Sequence, residues 1–415
     1  MRVTTLIAGI ASALIWLAAC QPRQQASSSA TEAEPPRAAV DALDYYTARS
    51  RSERVSDVEY DLSIDLFESD KIFTGIATVR FQLSDNSSDL TLDFSGGVVG
   101  DVRVNDELVR ASYNDSFITL LSEDLAEGLN VVEVQFEHAF SVDGTGLHRF
   151  VDPEDGLTYL YTYLWPYYAN RLFPGFDQPD LKAMFALTVR AASEWTVVSA
   201  STGTAVPLGD GSVEWTFPKT PKMPTYVFSL HAGPYAIWED RAGDVPIRLM
   251  ARRSLAEYVA VDEWFDVTRR GLEYYDRYFD IPYAFDKYDQ LIVPDFNIGA
   301  MENIGAVTFS ENYVQRQKSD RSEREARASV ILHEMAHMWF GNLVTHDWWN
   351  GLWLNESFAT QMAAMATLAT TEFTDEWHGF FTDSKRTAYF RDSRVTTHPI
   401  EMPVASTADF FTVLR

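Results

Sequence analysis

The stretch that decides the fold is Ser329-Val-Ile-Leu-His-Glu-Met-Ala-His-Met-Trp-Phe-Gly341, which places His333 and His337 four residues apart with Glu334 beside the first. Four residues advance an α-helix by about 400°, so the two imidazoles lie on one face and can both reach a single tetrahedral Zn²⁺. Glu334 lies about 100° further round the helix than His333. It therefore points beside the metal, where it can act as the general base on zinc-bound water.

A helix is expected here because residues 322–328 supply acids and helix formers, and Gly341 offers a C-terminal stop. A catalytic zinc needs three protein ligands and one open position. Eighteen residues separate His337 from Glu356, which lies in a sequence typical of a second helix facing the first. We predict Glu356 as the third ligand of one zinc ion per chain. A third histidine at position 343 would define another class of zinc protease, but that position is Leu343.

Composition limits the class of protein. The 415 residues suffice for two or three domains, and 46% hydrophobic with 23% charged residues is ordinary for a soluble globular chain. The net charge of −26 argues against nucleic acid as a partner, because phosphate contacts need a basic face. The single cysteine, Cys20, excludes a disulfide within the chain and a thiolate zinc site.

The N-terminus resembles a bacterial lipoprotein signal. A positive start at Met1-Arg2 is followed by an apolar segment over 6–16 and by Leu17-Ala-Ala-Cys20. The resemblance implies that residues 1–19 are removed and that Cys20 carries lipid, which anchors the protein to a membrane of the cell envelope. Gln21 implies delivery to the outer membrane, facing the periplasm. The alternative is a plain secretory signal with an incidental cysteine.

Beyond the signal, two kinds of pattern follow. Residues 20–50 are rich in Gln, Ser, Ala, Glu and Pro, which predicts a flexible tether. Over 51–243, apolar and polar residues alternate in short segments between turn sequences, which predicts an antiparallel sandwich or saddle of half-buried strands. The predicted strands include 60–66, 77–83, 90–94, 131–136, 185–190 and 226–230.

Residues 244–415 are predicted to form a mixed domain. Segment 254–280 carries apolar residues at near-helical spacing and precedes a proline, which predicts a long helix. Segment 296–309 contains two glycines that allow another backbone to approach closely. We expect a strand edge here that holds an extended peptide beside the zinc, with the carboxylate of Glu302 at the end of this track.

Taken together, Gly299-Ala-Met-Glu-Asn303, His333-Glu-Met-Ala-His337 and Glu356 resemble the M1 zinc aminopeptidases, which are gluzincins similar to aminopeptidase N. The resemblance covers roughly residues 55–415. It extends through Gly144-Thr-Gly-Leu-His-Arg-Phe, Pro174-Gly-Phe-Asp-Gln-Pro-Asp-Leu-Lys, Asn342-Leu-Val-Thr, Trp348-Trp and Leu352-Trp-Leu-Asn-Glu.

The resemblance implies an α+β fold of two domains, a β-rich saddle followed by a thermolysin-like catalytic domain. It implies removal of one residue from the free N-terminus of a peptide. In that reaction Glu302 binds the substrate α-ammonium, and its neighbours Gly299, Ala300, Met301 and Asn303 also bind substrate.

Two features depart from the family pattern. Tyr163 stands where relatives usually have a glutamine that lines the first subsite, and Trp165 stands where an acid is common. We expect Tyr163 to bind substrate, in a first pocket rich in aromatic surface and poor in charge; core packing is the alternative. The family's transition-state tyrosine is expected beyond residue 415, so the chain is expected to be truncated at its C-terminus.

Three other functions share part of this pattern. A thermolysin-like endopeptidase shares the zinc ligands but lacks the Gly299–Asn303 motif. A scaffold without chemistry would have lost ligands or base, whereas all are present here. The motifs alone leave open an epoxide hydrolase that uses the same site.

Overall fold

Strands fill the N-terminal half of the described chain and longer helices gather in the C-terminal half, as expected for an α+β fold. The computed structural model describes residues 37–67 and 69–413, so the predicted signal over 1–19, Cys20 and the tether up to residue 36 lie outside the described residues. The strands are β1 (Val55–Asp65), β2 (Ile72–Leu83), β3 (Leu90–Asp93), β4 (Val98–Val104), β5 (Glu107–Val109), β6 (Ser112–Tyr113), β7 (Phe117–Leu120), β8 (Gly128–Ala139), β9 (Gly146–Val151), β10 (Thr158–Tyr163), β11 (Met184–Ala192), β12 (Thr196–Val198), β13 (Thr204–Pro207), β14 (Ser212–Phe217), β15 (His231–Gly233), β16 (Ala236–Ala242), β17 (Val245–Ala251), β18 (Tyr288–Val293), β19 (Ala300–Met301) and β20 (Ala306–Ser310). The α-helices are α1 (Tyr45–Arg54), α2 (Val261–Phe279), α3 (Arg321–Ala336), α4 (Leu352–Thr370), α5 (Glu376–Gly379), α6 (Arg386–Asp392) and α7 (Phe410–Val413).

A large sheet organises the N-terminal half, and within the described residues its strand order is β13-β14-β11-β1-β2-β8-β4-β5. β1 runs parallel to β11 and antiparallel to β2, with Leu62 opposite both Leu187 and Ala77. Along β1, Tyr60, Leu62 and Ile64 are buried while the residues between them are exposed. This alternation is the one that the sequence predicts, and it confirms a β-rich N-terminal domain.

Segment 226–230 was predicted as a strand, and that prediction is wrong. It begins within a 3₁₀ turn and continues as irregular, fully buried chain. Some of its backbone groups pair with side chains: the Leu230 N–H donates to Thr162 Oγ1 at 2.9 Å. Asn303 Nδ2 donates to the Phe228 carbonyl at 3.2 Å. Because these partners satisfy buried backbone groups without a strand ladder, an apolar run alone does not identify a strand.

Residues 45–50, which the sequence assigned to the flexible tether, instead form the first part of α1. Asp44 caps this helix, since its Oδ1 accepts a hydrogen bond from the Thr47 N–H at 2.9 Å. Arg51 is buried, and its Nη1 lies 2.7 Å from Asp93 Oδ2. This ion pair ties α1 to β3, a contact that composition does not reveal.

The C-terminal half rests on a sheet whose described strands follow the order β16-β17-β18-β20-β19. β17, β18 and β20 are parallel, and β19 pairs antiparallel with β20 as the last strand in this order. The predicted domain boundary after residue 243 lies in the turn between β16 and β17. Because a continuous ladder joins these two strands, both belong to this sheet.

Helix α2 packs against α3 and lies within the predicted helix, but it begins after a 3₁₀ turn rather than at residue 254. It ends where Asp280 adopts a left-handed conformation, with φ of 54°. A Cβ on Gly271 would lie 2.6 Å from Leu332 Cδ2, so glycine permits the close approach of the two helices. Tyr275 also donates to the Leu332 carbonyl at 2.9 Å. None of the helices in the described residues is long and apolar enough to cross a membrane.

Candidate metal centre and active-site cleft

Helix α3 presents the predicted histidine pair. A capping box starts it: Asp320 Oδ1 accepts from the Glu323 N–H at 2.9 Å, and Glu323 Oε2 accepts from the Asp320 N–H at 2.8 Å. The helix ends at the residue before His337 and not at the predicted stop, Gly341. His337 is its C-cap residue and keeps right-handed helical dihedral angles, φ −60° and ψ −22°. His333 and His337 therefore keep helical spacing.

Three predicted ligands converge between α3 and α4. His333 Nε2 lies 3.0 Å from His337 Nε2 and 3.4 Å from Glu356 Oε2, and His337 Nε2 lies 3.8 Å from Glu356 Oε2. Ligand atoms about 2.0–2.1 Å from a tetrahedral zinc ion are about 3.3 Å from one another. The donor set and its spacing thus fit zinc, and His333, His337 and Glu356 are the residues that would hold it.

Carboxylates dominate the electrostatics of this centre. Burial lowers the pKa of His337, but the charges of Glu302, Glu356 and Glu334 outweigh it and raise that pKa to about 9. Burial raises the pKa of Glu356, but a hydrogen bond from His333 and the charges of both histidines bring it to about 2. The carboxylates that stabilise a positive charge on the His337 imidazole would also stabilise a metal cation bound at this position.

Glu334 lies beside the ligand trio and is not part of it. It is buried, and a carboxylate oxygen lies within 4.8 Å of ligand atoms of both Glu302 and His337. Burial and the charges of Glu302 and Glu356 raise its pKa well above the usual value, although His337 opposes them. A carboxylate of raised basicity beside a metal centre is suited to accept a proton.

A cavity of about 690 Å³ opens over the ligands, and strand β19 forms one of its walls. Gly299, Ala300, Met301 and Glu302 all line it. The remaining lining is largely apolar and comprises Trp165, Ile298, Tyr313, Ala326, Ser329, Val330 and Phe411. The structure thus brings four of the five motif residues to the cleft with the metal ligands and Glu334.

Two predicted substrate-binding residues do not line this cavity. Asn303 is fully buried; its Nδ2 donates to the Phe228 carbonyl at 3.2 Å, and its Oδ1 accepts from Thr308 Oγ1 at 2.9 Å. Tyr163 is buried edge-to-face against Phe296, with ring centroids 5.5 Å apart. The Tyr163 ring packs against aromatic neighbours, and the charges of Glu302 and Glu356 act on its hydroxyl, so a role in substrate binding stays a prediction. Asn303 joins the motif strand to its neighbours through these hydrogen bonds.

Sequence reasoning missed two residues at the site. Asn355 directly precedes Glu356 and contacts both His337 and Glu302. Tyr313 follows β20 and lines the cavity, and its hydroxyl lies 2.8 Å from where a Cβ on Gly299 would be. Residue spacing identifies metal ligands and a general base, and neither Asn355 nor Tyr313 is one of these. Asn355 does lie within the Leu352-Trp-Leu-Asn-Glu motif.

A His-Glu-x-x-His helix, a glutamate from the following helix and an edge strand beside them define the metallopeptidases of the thermolysin-like class. Comparison with known proteins gives the family. The Peptidase family M1 domain matches residues 263–414, and the Peptidase M1 N-terminal domain matches residues 56–227. The chain belongs to peptidase family M1.

Relatives with known names agree with this family. Aminopeptidase N of Streptomyces lividans is 40% identical over 372 residues, which cover 87% of this chain and 43% of that protein. Leucyl aminopeptidase of Saccharolobus solfataricus is 33% identical over 78% of this chain and 41% of its own length. Tricorn protease-interacting factor F2 of Thermoplasma acidophilum is 30% identical over 83% of this chain and 43% of its own length. The chain thus spans less than half the length of these relatives.

Proposed function

We propose that this protein is a zinc-dependent aminopeptidase that releases the N-terminal residue of peptides. The observation that carries the proposal is the Glu302 carboxylate, buried in the same cavity as the ligand trio and within 4.8 Å of Glu334 and His337. When ionised, the carboxylates of Glu302, Glu334 and Glu356 carry three negative charges, which balance the charges of one divalent ion and one α-ammonium. An exopeptidase must recognise that ammonium beside the scissile bond, and a buried carboxylate is its natural partner.

Each residue then has a defined task. When bound, zinc polarises the scissile carbonyl and lowers the pKa of the attacking water. Glu334 takes the proton from that water and returns it to the leaving amine. Glu302 holds the peptide N-terminus, so that the first peptide bond is the one presented. The main-chain groups of Ala300 and Met301, on the last strand of the sheet, are available to align an extended substrate.

The proposal is tested by assaying the purified protein on a panel of aminoacyl anilides, each paired with its N-acetylated form. We expect free-amine substrates to be hydrolysed much faster than their N-acetylated forms. Chelation should abolish hydrolysis, and added zinc should restore it. Equal hydrolysis of acetylated substrates would indicate an endopeptidase. A protein that binds zinc but cleaves no anilide would be a scaffold, or an epoxide hydrolase if it opened an epoxide instead.

We further propose that the protein is lipid-anchored through Cys20 at the outer membrane, facing the periplasm. Support comes from the sequence alone, namely Leu17-Ala-Ala-Cys20 after a short apolar segment, and Gln21 next to the cysteine. Mass spectrometry of the N-terminal peptide from the native host is the test. An unmodified Cys20, or cleavage at another position, would overturn the anchor.

A further inference from the structure

Asn355 occupies the space between the metal ligands and the carboxylate that faces the substrate amine. Its Oδ1 lies 2.6 Å from His337 Nδ1, and its Nδ2 donates to Glu302 Oε1 at 3.2 Å. All three side chains are at most 3% exposed. One amide thus contacts one metal ligand and the proposed amine-binding acid.

The chemistry of the amide fixes the direction of both bonds. A carboxylate only accepts, so Glu302 requires the NH₂ end of Asn355. The oxygen end then faces His337 Nδ1, which also lies 3.0 Å from the Phe340 carbonyl. With two acceptors beside it, Nδ1 must donate, and Nε2 keeps its lone pair toward the ligand trio. A reversed amide would place a donor against Nδ1–H and an oxygen against the carboxylate, so both contacts select one orientation.

The surrounding backbone leaves room for this amide. Gly341 has φ of 125°, and a Cβ added there would lie 2.4 Å from Asn355 Oδ1. A larger residue at 341 would therefore displace the amide as well as strain the backbone. The space left by Gly341 and the two hydrogen bonds together specify the position of Asn355.

We propose that Asn355 is a positioning residue. It holds the metal-binding imidazole of His337 and the amine-binding carboxylate of Glu302 at a fixed distance and orientation from each other. The assignment of Glu302 to the amine rests on the proposed function. The contact to His337 does not, since it concerns metal retention alone. Two variants distinguish the effects of the two hydrogen bonds that the amide makes. Asn355→Asp keeps an oxygen for His337 but replaces the donor to Glu302 with a like charge. Asn355→Ala removes both contacts of the amide and leaves His337 Nδ1 only the Phe340 carbonyl.

The test uses zinc release to a chelator, and binding of leucinamide to the zinc-loaded protein by thermal shift. We expect Asn355→Ala to release zinc at least tenfold faster than wild type, and Asn355→Asp to stay within threefold. Both variants should bind leucinamide at least fivefold more weakly. In anilide assays KM should rise for free-amine substrates more than kcat per bound zinc falls. The matched control is Asn350→Asp, whose exposed amide contacts Glu401 and should behave as wild type.

Three results would overturn the inference. Wild-type zinc release in Asn355→Ala would show that the imidazole contact is not needed. Zinc loss in Asn355→Asp as rapid as in Asn355→Ala would indicate a packing role only. Wild-type binding of leucinamide by Asn355→Asp would show that the donor to Glu302 does not position it. If wild-type protein binds no leucinamide, the proposed function fails, and the zinc-release comparison still decides the contact to His337.

Discussion

Replacing Glu302 by glutamine removes one charge from the cleft with little change of shape. Glu302 is 3% exposed, so a substrate ammonium that reaches it has lost most of its water and depends on this partner. The amide of a glutamine can still accept from Asn355 Nδ2, as Glu302 Oε1 does at 3.2 Å. The substitution therefore tests the charge, with the surrounding packing retained.

The size of the effect follows from the burial. An ammonium and a carboxylate about 3 Å apart attract by about 5 kcal/mol at an effective dielectric constant of about 20. A neutral amide keeps part of this as an ordinary hydrogen bond, so we expect a net loss of about 3 kcal/mol. This corresponds to a decrease of roughly 150-fold in kcat/KM for free-amine substrates.

The assay compares kcat/KM for an aminoacyl anilide and its N-acetylated form, with zinc content measured in each sample. N-acetylated substrate brings no cation, so its slow hydrolysis should change by less than about threefold. Glu325→Gln is the matched control, because Glu325 lines a neighbouring groove and pairs with Arg321 at 2.9 Å on the surface. Equal losses on both substrates, or a loss as large in the control, would refute ammonium binding by Glu302.

Further predictions concern the base, the cleft wall and the core. Glu334→Gln should retain zinc and lose turnover because it removes a base, whereas His337→Ala should lose zinc; equal zinc loss in the two by metal analysis would contradict this. Gly299→Ala should lower kcat/KM, because its Cβ would lie 2.8 Å from the Tyr313 hydroxyl. Tyr313→Phe should suppress that loss, and additive losses in the double variant would refute the clash. Burial raises the pKa of Asp177 from 3.8 to about 7, so the folded state keeps a proton that the unfolded chain releases, and stability should fall by on the order of 4 kcal/mol as pH rises from about 4 to 7. Asp177→Asn should flatten this slope in urea unfolding, and an unchanged slope would assign it to other groups.

Local periodicity explains what could be predicted from the sequence. The positions of His333 and Glu334 on one helix follow from 3.6 residues per turn, and the alternation around Tyr60 follows from the two-residue period of a strand. The prediction for segment 226–230 is wrong because the segment is apolar but does not form a strand. Several of its backbone hydrogen bonds go to side chains distant in sequence, such as Thr162, which no local pattern contains.

By itself, the sequence determined the β-rich and helical halves and predicted the metal ligands and the general base, because each depends on repeats within one element or on a family motif. Only the tertiary structure decided which motif side chains reach the cleft: Glu302 lines it, whereas Asn303 and Tyr163 are buried and do not line it. It alone showed that Asn355 joins His337 to Glu302. Such contacts depend on how α3, α4 and the strand ending at Met301 pack together, and the spacing of residues along the chain does not specify that packing.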